Sequence, residues 1–177
     1  MLANKIHNSI IRTLSYSDVF DYPLRRRELW KFLNIRANVD RNSLYEAIRQ
    51  MISTRKIEEK RGYYFLFGRN KIVSTRLKRE KLSIYKLEMA KRAARILSFI
   101  PMIKLIGVSG SLSLKNAQLQ DDIDFFIITS QNSLWITRFL VNVLLLLTGY
   151  KRSIKDLRGM DLICPNLFMS EDELLLP

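Results

Sequence analysis

A chain of 177 residues has room for one medium domain or two small ones, and a hydrophobic content of 47% can build cores, which excludes a disordered tail. The formal net charge of +13 is spread unevenly: residues 1–100 hold 23 Lys and Arg against 9 Asp and Glu, a balance of +14, while residues 101–177 hold 7 against 8. The first part therefore suits a polyanionic partner; a single cysteine, Cys164, excludes an internal disulfide and fits a reducing cytoplasm, and the lack of an apolar leader argues against secretion.

In chain order, Leu2, Ile6, Ile10 and Leu14 recur every four residues, with Ala3 and Ile11 widening the stripe, which predicts a first amphipathic helix. Pro23 marks a turn. Leu24 to Leu33 predicts a second, basic helix with Leu29, Trp30 and Leu33 inward, and its Arg25-Arg26-Arg27 run reads as a solvated face. The third helix is the best specified: Ser43-Leu44-Tyr45-Glu46 fits a capping box, and Leu44, Ala47, Ile48, Met51 and Ile52 mark one buried face. Lys56–Glu59 and Tyr63–Phe67 then predict a β-hairpin turning at Lys60-Arg61-Gly62, with Gly where a positive φ is required.

Three helices followed by a hairpin resemble a winged helix-turn-helix over residues 1–68. That resemblance makes the third helix a recognition helix, with Asn42, Tyr45, Arg49 and Ser53 on its outer face and Lys60 and Arg61 at the wing tip, placed to meet phosphates or base edges. Winged helices also serve as packing and dimerisation modules, so nucleic-acid contact and a structural role both stand as readings. Alternation through Tyr63, Tyr64, Phe65 and Phe67 assigns half of these aromatics to the core of the wing.

Residues 69–100 contain no Gly or Pro, and apolar Val73, Leu77, Ile84, Leu87, Ala90, Ala94 and Leu97 predict a long connecting helix, single or two in line, packing on the second domain. Pro101 ends it. Residues 101–177 carry the chemistry. Met102–Val108 predicts a strand, Ser109-Gly110-Ser111 a turn into a helix from Leu112 to Ala117, and Asp122-Ile123-Asp124 opens a second strand through Thr129. A helix start offers backbone N–H groups to an anion, Gly110 allows close backbone approach and Ser111 adds a hydroxyl. Alternation puts Asp122 and Asp124 on one face, roughly 6 to 7 Å apart along the strand, where two carboxylates repel unless a cation joins them. An all-oxygen pair suits Mg²⁺, or Mn²⁺, with a phosphate supplying further ligands.

Gly110-Ser111, ten residues, then Asp122-Ile123-Asp124-Phe125 resembles the Gly-Ser … Asp-x-Asp signature of the DNA polymerase β-like nucleotidyltransferase superfamily. The order of segments also looks like that of prokaryotic nucleotidyltransferase-domain proteins with a winged helix in front. The resemblance implies an α+β chain ending in a small mixed sheet with helices on one face, binding an NTP through Gly110 and Ser111. It further implies a metal on Asp122 and Asp124 and transfer of an NMP group to a hydroxyl acceptor, with a third carboxylate on a later strand completing a two-metal site. Asp161 is the best match for that carboxylate, and Asn166 competes for the position. A DNA-binding regulator with a degenerate, nucleotide-sensing fold of the same type is the alternative.

Leu134–Leu147 is almost wholly apolar but shorter than the roughly 20 residues of a membrane span, and it holds Arg138 and Asn142. It predicts a buried helix covering the sheet, with Arg138 and Asn142 sharing a face toward solvent or the site. Lys151–Gly159 reads as a basic loop and Asp161–Met169 as a last strand; the run Leu174–Pro177 stops where a further helix is expected, so the domain is expected to be minimal or continued by further chain or a partner. His7, the only histidine, reads as a surface or satisfied group and Cys164 as a small buried apolar one, leaving no zinc set and no Ser-His-Asp triad.

Overall fold

A computed structural model describes residues 2–35, 39–150 and 162–174. These residues form six helices and two three-stranded sheets, an α+β chain whose packing divides it into Met1–Lys78 and Arg79–Pro177. The boundary falls inside the long helix. No helix among the described residues is long and apolar enough to cross a membrane.

In Met1–Lys78 the order is α1 (Leu2–Asp18), β1 (Leu24–Arg25), α2 (Arg26–Phe32), α3 (Arg41–Ser53), β2 (Ile57–Lys60) and β3 (Tyr63–Leu66). Ile6, Ile10 and Leu14 of α1 meet Leu29, Leu44, Ala47, Ile48, Met51 and Ile57 in one core, as their spacing requires. Trp30 and Ile52, both expected inward, are 36% and 37% exposed, because short helices bury one narrow stripe and these two residues flank it. The cap of α3 also differs from the capping box expected at Ser43. Asp40 is the N-cap, its carboxylate accepting from the N–H groups of Asn42 (2.8 Å) and Ser43 (3.0 Å) and from the Ser43 hydroxyl (2.6 Å). A carboxylate at the positive helix end outcompetes a neutral hydroxyl for those amides.

The sheet is antiparallel with β3 in the middle, order β1-β3-β2. Two-residue β1 was not foreseen; it is too short for periodicity to register. Tyr63 and Phe65 of β3 are buried with Ile72 and Val73 and half-buried Tyr64 faces the other way, as alternation expects, while Phe67, of the same parity as Tyr63 and Phe65, is 51% exposed because it lies past the end of the strand. The first turns of the long helix α4 (Lys71–Leu97) are tied down by Arg76, which is 3% exposed. Its guanidinium donates to the Pro23 carbonyl (3.1 Å) and Glu28 Oε1 (2.8 Å) and lies 3.5 Å from the Tyr22 ring centroid, so the buried charge is paired, hydrogen-bonded and stacked.

In Arg79–Pro177, β4 (Ile103–Val108) pairs antiparallel with β5 (Ile123–Thr129), and β6 (Ile163–Ser170) pairs parallel with β5 on its other side. The helix α6 (Leu134–Leu147) is the crossover that a parallel pair requires. Ile123, Phe125 and Ile127 of β5 are fully buried against Ala90, Ala93 and Leu97 of α4 and Val141 and Leu145 of α6, so both long helices cover the same face of the sheet. The helix expected over Leu112–Ala117 is instead the single turn α5 (Gly110–Ser113). The chain then turns at Lys115, φ +54, to bring Asn116 back toward Ser111. α6 has its expected span but not its expected burial: Trp135, Phe139 and Leu147 on its outer side are 78%, 62% and 77% exposed. A three-stranded sheet is too narrow to surround a helix, so one stripe is covered and the rest is open. Arg138 lies over Phe168 (5.5 Å) and Asn142 donates to its carbonyl (2.6 Å), a pair on the solvent side and away from the Asp-bearing turn.

The β2–β3 turn has Arg61 at φ +55 and Gly62 at φ +78, the signature of a type I′ hairpin, with Lys60 opposite Tyr63. Arginine is strained there and asparagine is not, so Arg61→Asn is expected to raise stability by about 0.5–1 kcal/mol and Gly62→Ala to lower it by about 1–2 kcal/mol. Urea unfolding with an unchanged m-value measures both.

Candidate functional site

The candidate site is built where β4 hands over to α5 against the start of β5. The Ser109 N–H donates to the Asp124 carbonyl at 2.9 Å, locking the end of β4 onto the Asp-bearing strand. Gly110 follows at φ +62, a conformation that L side chains rarely adopt. A Cβ on Gly110 would stand 2.5 Å from Asp124 Oδ2, inside contact distance. Glycine is therefore required twice at this position, for the backbone turn and for the room the carboxylate occupies.

Asp121 secures the other side of the turn. Its Oδ2 accepts from the Ser111 hydroxyl (2.7 Å) and the Gln118 N–H (2.9 Å), while the Asn116 N–H returns to the Ser111 carbonyl (2.9 Å). The Gly-Ser turn and the loop before Asp122 are thus one hydrogen-bonded unit. Sequence reasoning missed Asp121 because it falls one residue outside the Asp-x-Asp spacing, although the run Asp121-Asp122-x-Asp124 was an available signal.

The loop rests on a polar face of α4 that was also missed. Arg79, Ser83 and Lys86 recur at i, i+4 and i+7, facing the loop together. Arg79 donates to Asn116 Oδ1 (3.2 Å), Ser83 Oγ accepts from the Ala117 N–H (3.2 Å), and the Lys86 ammonium donates to the carbonyls of Leu119 (3.2 Å) and Asp121. Lys86 has no exposed surface, and a buried ammonium is tolerated only when such acceptors surround it.

Electrostatics mark Asp124. Burial pushes its carboxyl above the ordinary value of 3.8, and the charges of Asp122 and Asp121 push it further in the same direction. Asp122 is exposed immediately before β5, and alternation places it on the same side of the strand as Asp124, opposite buried Ile123. Asp122 and Asp124, with Asp121 beside them, concentrate negative charge at one turn, and the two strand carboxylates supply the kind of oxygen ligand that a hard divalent ion takes. Among the described residues no group of three or more His, Cys, Asp or Glu is disposed to enclose a metal by itself.

No family model, curated protein or solved structure matches this chain.

The third carboxylate expected on the last strand has no counterpart in the described part of β6. Asp161 lies outside the described residues. In the parallel register Asp124 stands beside Cys164, whose thiol is half-buried, and Asn166 is exposed where β6 carries an extra residue opposite Phe125 and Phe126. The register sets these neighbours, and no single-strand pattern carries it.

In Met1–Lys78, Asn42 and Arg49 are exposed and Tyr45 is half-buried, the three sharing one face of α3 by i, i+3 and i+7 spacing. Lys60 and Arg61 are exposed at the hairpin tip, and Ser53 is turned onto the Gln50 carbonyl (2.9 Å). Arg26, read as part of a solvated run, stacks its guanidinium 5.0 Å from the Tyr45 ring centroid. His7, expected to be a surface or satisfied group, is half-buried, and its Nε2 has no hydrogen-bond partner among the described residues.

The raised pKa of Asp124 makes a signed prediction. The folded chain binds this proton at higher pH than the unfolded chain, so stability falls as pH rises from 3.8 through the folded value, and the whole penalty is present above it. Asp124→Asn removes that penalty. The variant is expected to melt at a higher temperature than the parent at pH 7, with the difference vanishing as pH falls below 4; an equal or lower melting temperature at neutral pH contradicts the electrostatic account.

Proposed function

We propose that residues 101–177 are a nucleotidyltransferase domain of the DNA polymerase β-like type, transferring an NMP group from an NTP to a hydroxyl acceptor in the cytoplasm. One observation carries the reading: Gly110 and Asp124, fourteen residues apart along the chain, meet so closely that a Cβ on Gly110 would stand 2.5 Å from the carboxylate. That contact joins the Gly-Ser turn to the Asp-x-Asp strand, the two submotifs on which the resemblance rests, and so supports the reading. Asp122 and Asp124 would hold Mg²⁺, or Mn²⁺, which when bound polarises the phosphoryl oxygens and lowers the pKa of the attacking hydroxyl. Gly110 leaves its backbone open to the triphosphate, and Ser111, anchored by Asp121, fixes the turn in place. Lys86 and Ser83 keep the loop from shifting as charge arrives. Asp161 is the residue proposed to complete the acidic set.

A second reading rests on Cys164. With a thiol beside Asp124 where the superfamily favours a carboxylate, the domain would bind a nucleotide without transferring it, and a winged helix in residues 1–68 would bind DNA. The order β1-β3-β2 with α2 and α3 between β1 and the hairpin supports a winged helix. Asn42, Tyr45, Arg49, Lys60 and Arg61 are the residues that would meet the duplex.

Calorimetric titration of each NTP with Mg²⁺, followed by incubation with α-labelled NTP, separates the readings. The enzyme reading expects binding and transfer, both lost in Asp122→Asn/Asp124→Asn; no nucleotide binding at all, or an unaffected double variant, removes it. Gly110→Ala is expected to cost about 1–2 kcal/mol of stability and to weaken nucleotide binding roughly tenfold by displacing the Asp124 carboxylate. The regulator reading expects nucleotide binding without transfer, together with duplex binding whose log K falls linearly with log salt, unchanged by the aspartate substitutions and weakened in Arg49→Ala.

A further inference from the structure

Among the described residues, the sheet of Arg79–Pro177 ends on one side at β4, which pairs with β5 alone. Because the Ser109 N–H donates to Asp124, the alternation of an antiparallel ladder turns the N–H and C=O groups of Val108 and Ile106 to the outer edge. Next to that edge runs a groove of about 420 Å³ between α4 and β4, floored by Ala94 and Ile103–Ile106 and flanked by Lys91 and Arg95. Lys104 on β4 adds a third cation. The ion pairs that engage these cations are exposed and exchangeable: Lys91 with Glu88 (2.6 Å) and Lys104 with Glu171 (3.9 Å).

We propose that this groove binds an extended acidic segment of a partner protein, which pairs with β4 as a fourth strand. Main-chain hydrogen bonds to Ile106 and Val108 would supply affinity, acidic side chains on the α4 side of the added strand would read Lys91 and Arg95, and apolar ones on its other side would cover Leu105, which is 45% exposed. Charge decides the occupant. A second copy of this chain pairing through β4 would bring two sets of the same three cations together, whereas an acidic strand neutralises them. The inference concerns an edge outside the Gly-Ser and Asp-x-Asp turn, so it stands or falls independently of the nucleotidyltransferase reading.

The test uses the full chain and a fluorescein-labelled peptide, acetyl-Glu-Val-Glu-Val-Glu-Val-amide, followed by fluorescence anisotropy. Saturable binding is expected. The Lys-Val counterpart is expected to bind at least about tenfold more weakly, and methylation of every second peptide nitrogen in one of the two phases is expected to weaken binding about tenfold, with the other phase tolerated. The Lys91→Glu/Arg95→Glu variant is expected to lose the acidic peptide and gain the basic one. No binding, equal binding of both peptides, indifference to N-methylation in both phases, or a double variant that binds the acidic peptide as well as the parent does would overturn the proposal. So would a concentration-dependent dimer that the peptide does not dissociate, which assigns the edge to a second copy, or displacement of the peptide by a short oligothymidylate with N-methylation having no effect, which assigns the cations to nucleic acid.

Discussion

The approach of the Gly110 backbone to the Asp124 carboxylate is the constraint around which Arg79–Pro177 is arranged. A Cβ at Gly110 would lie 2.5 Å from Oδ2, so any other residue there strains the turn and forces the Asp124 carboxylate to move. Everything nearby serves that contact: Ser109 fixes the strand register beneath it, Asp121 holds Ser111 and Gln118 around it, and Lys86 fastens the Leu119 and Asp121 carbonyls from below. The result brings Asp121 and Asp122 close enough to Asp124 that their charges, added to burial, raise its pKa.

Buried cations recur in both packed units, and the same rule governs each. Arg76 is satisfied by the Pro23 carbonyl, Glu28 and the Tyr22 ring; Lys86 is satisfied by two loop carbonyls. Neither is surrounded by apolar groups alone, because an uncompensated charge in such a place costs several kcal/mol. Both belong to the charged, weakly amphipathic helix α4, and their purpose is to hold irregular segments that carry few apolar residues of their own. These two charges of the basic first hundred residues are thus spent internally.

The legible parts of the chain were those with a local cause. The α1 stripe of Ile6, Ile10 and Leu14, the buried positions of α3, the Gly62 turn, the span of α6 and the alternation through Ile123-Asp124-Phe125 each follow from period or turn chemistry within a dozen residues. What failed did so where a side-chain hydrogen bond or the width of the sheet, which no period records, overrode the pattern. Asp40 displaced Ser43 as the cap of α3, the helix expected after Ser111 closed after one turn because Asp121 drew the loop back, and α6 kept Trp135 and Phe139 exposed because the sheet beneath it has three strands.

By itself the sequence determined an α+β chain with its charge in the first hundred residues, the positions of its long helices, and the spacing of a Gly-Ser turn and an Asp-x-Asp strand. Those features are written in spacing, and spacing is local. Only the tertiary structure decided that Gly110 touches Asp124, that Lys86 lies under the acidic loop, that Cys164 is the neighbour of Asp124 across the strands, and that β4 is left as an edge. Those are matters of register and strand order, which depend on which faces the whole sheet can bury, and no single stretch of chain contains that information.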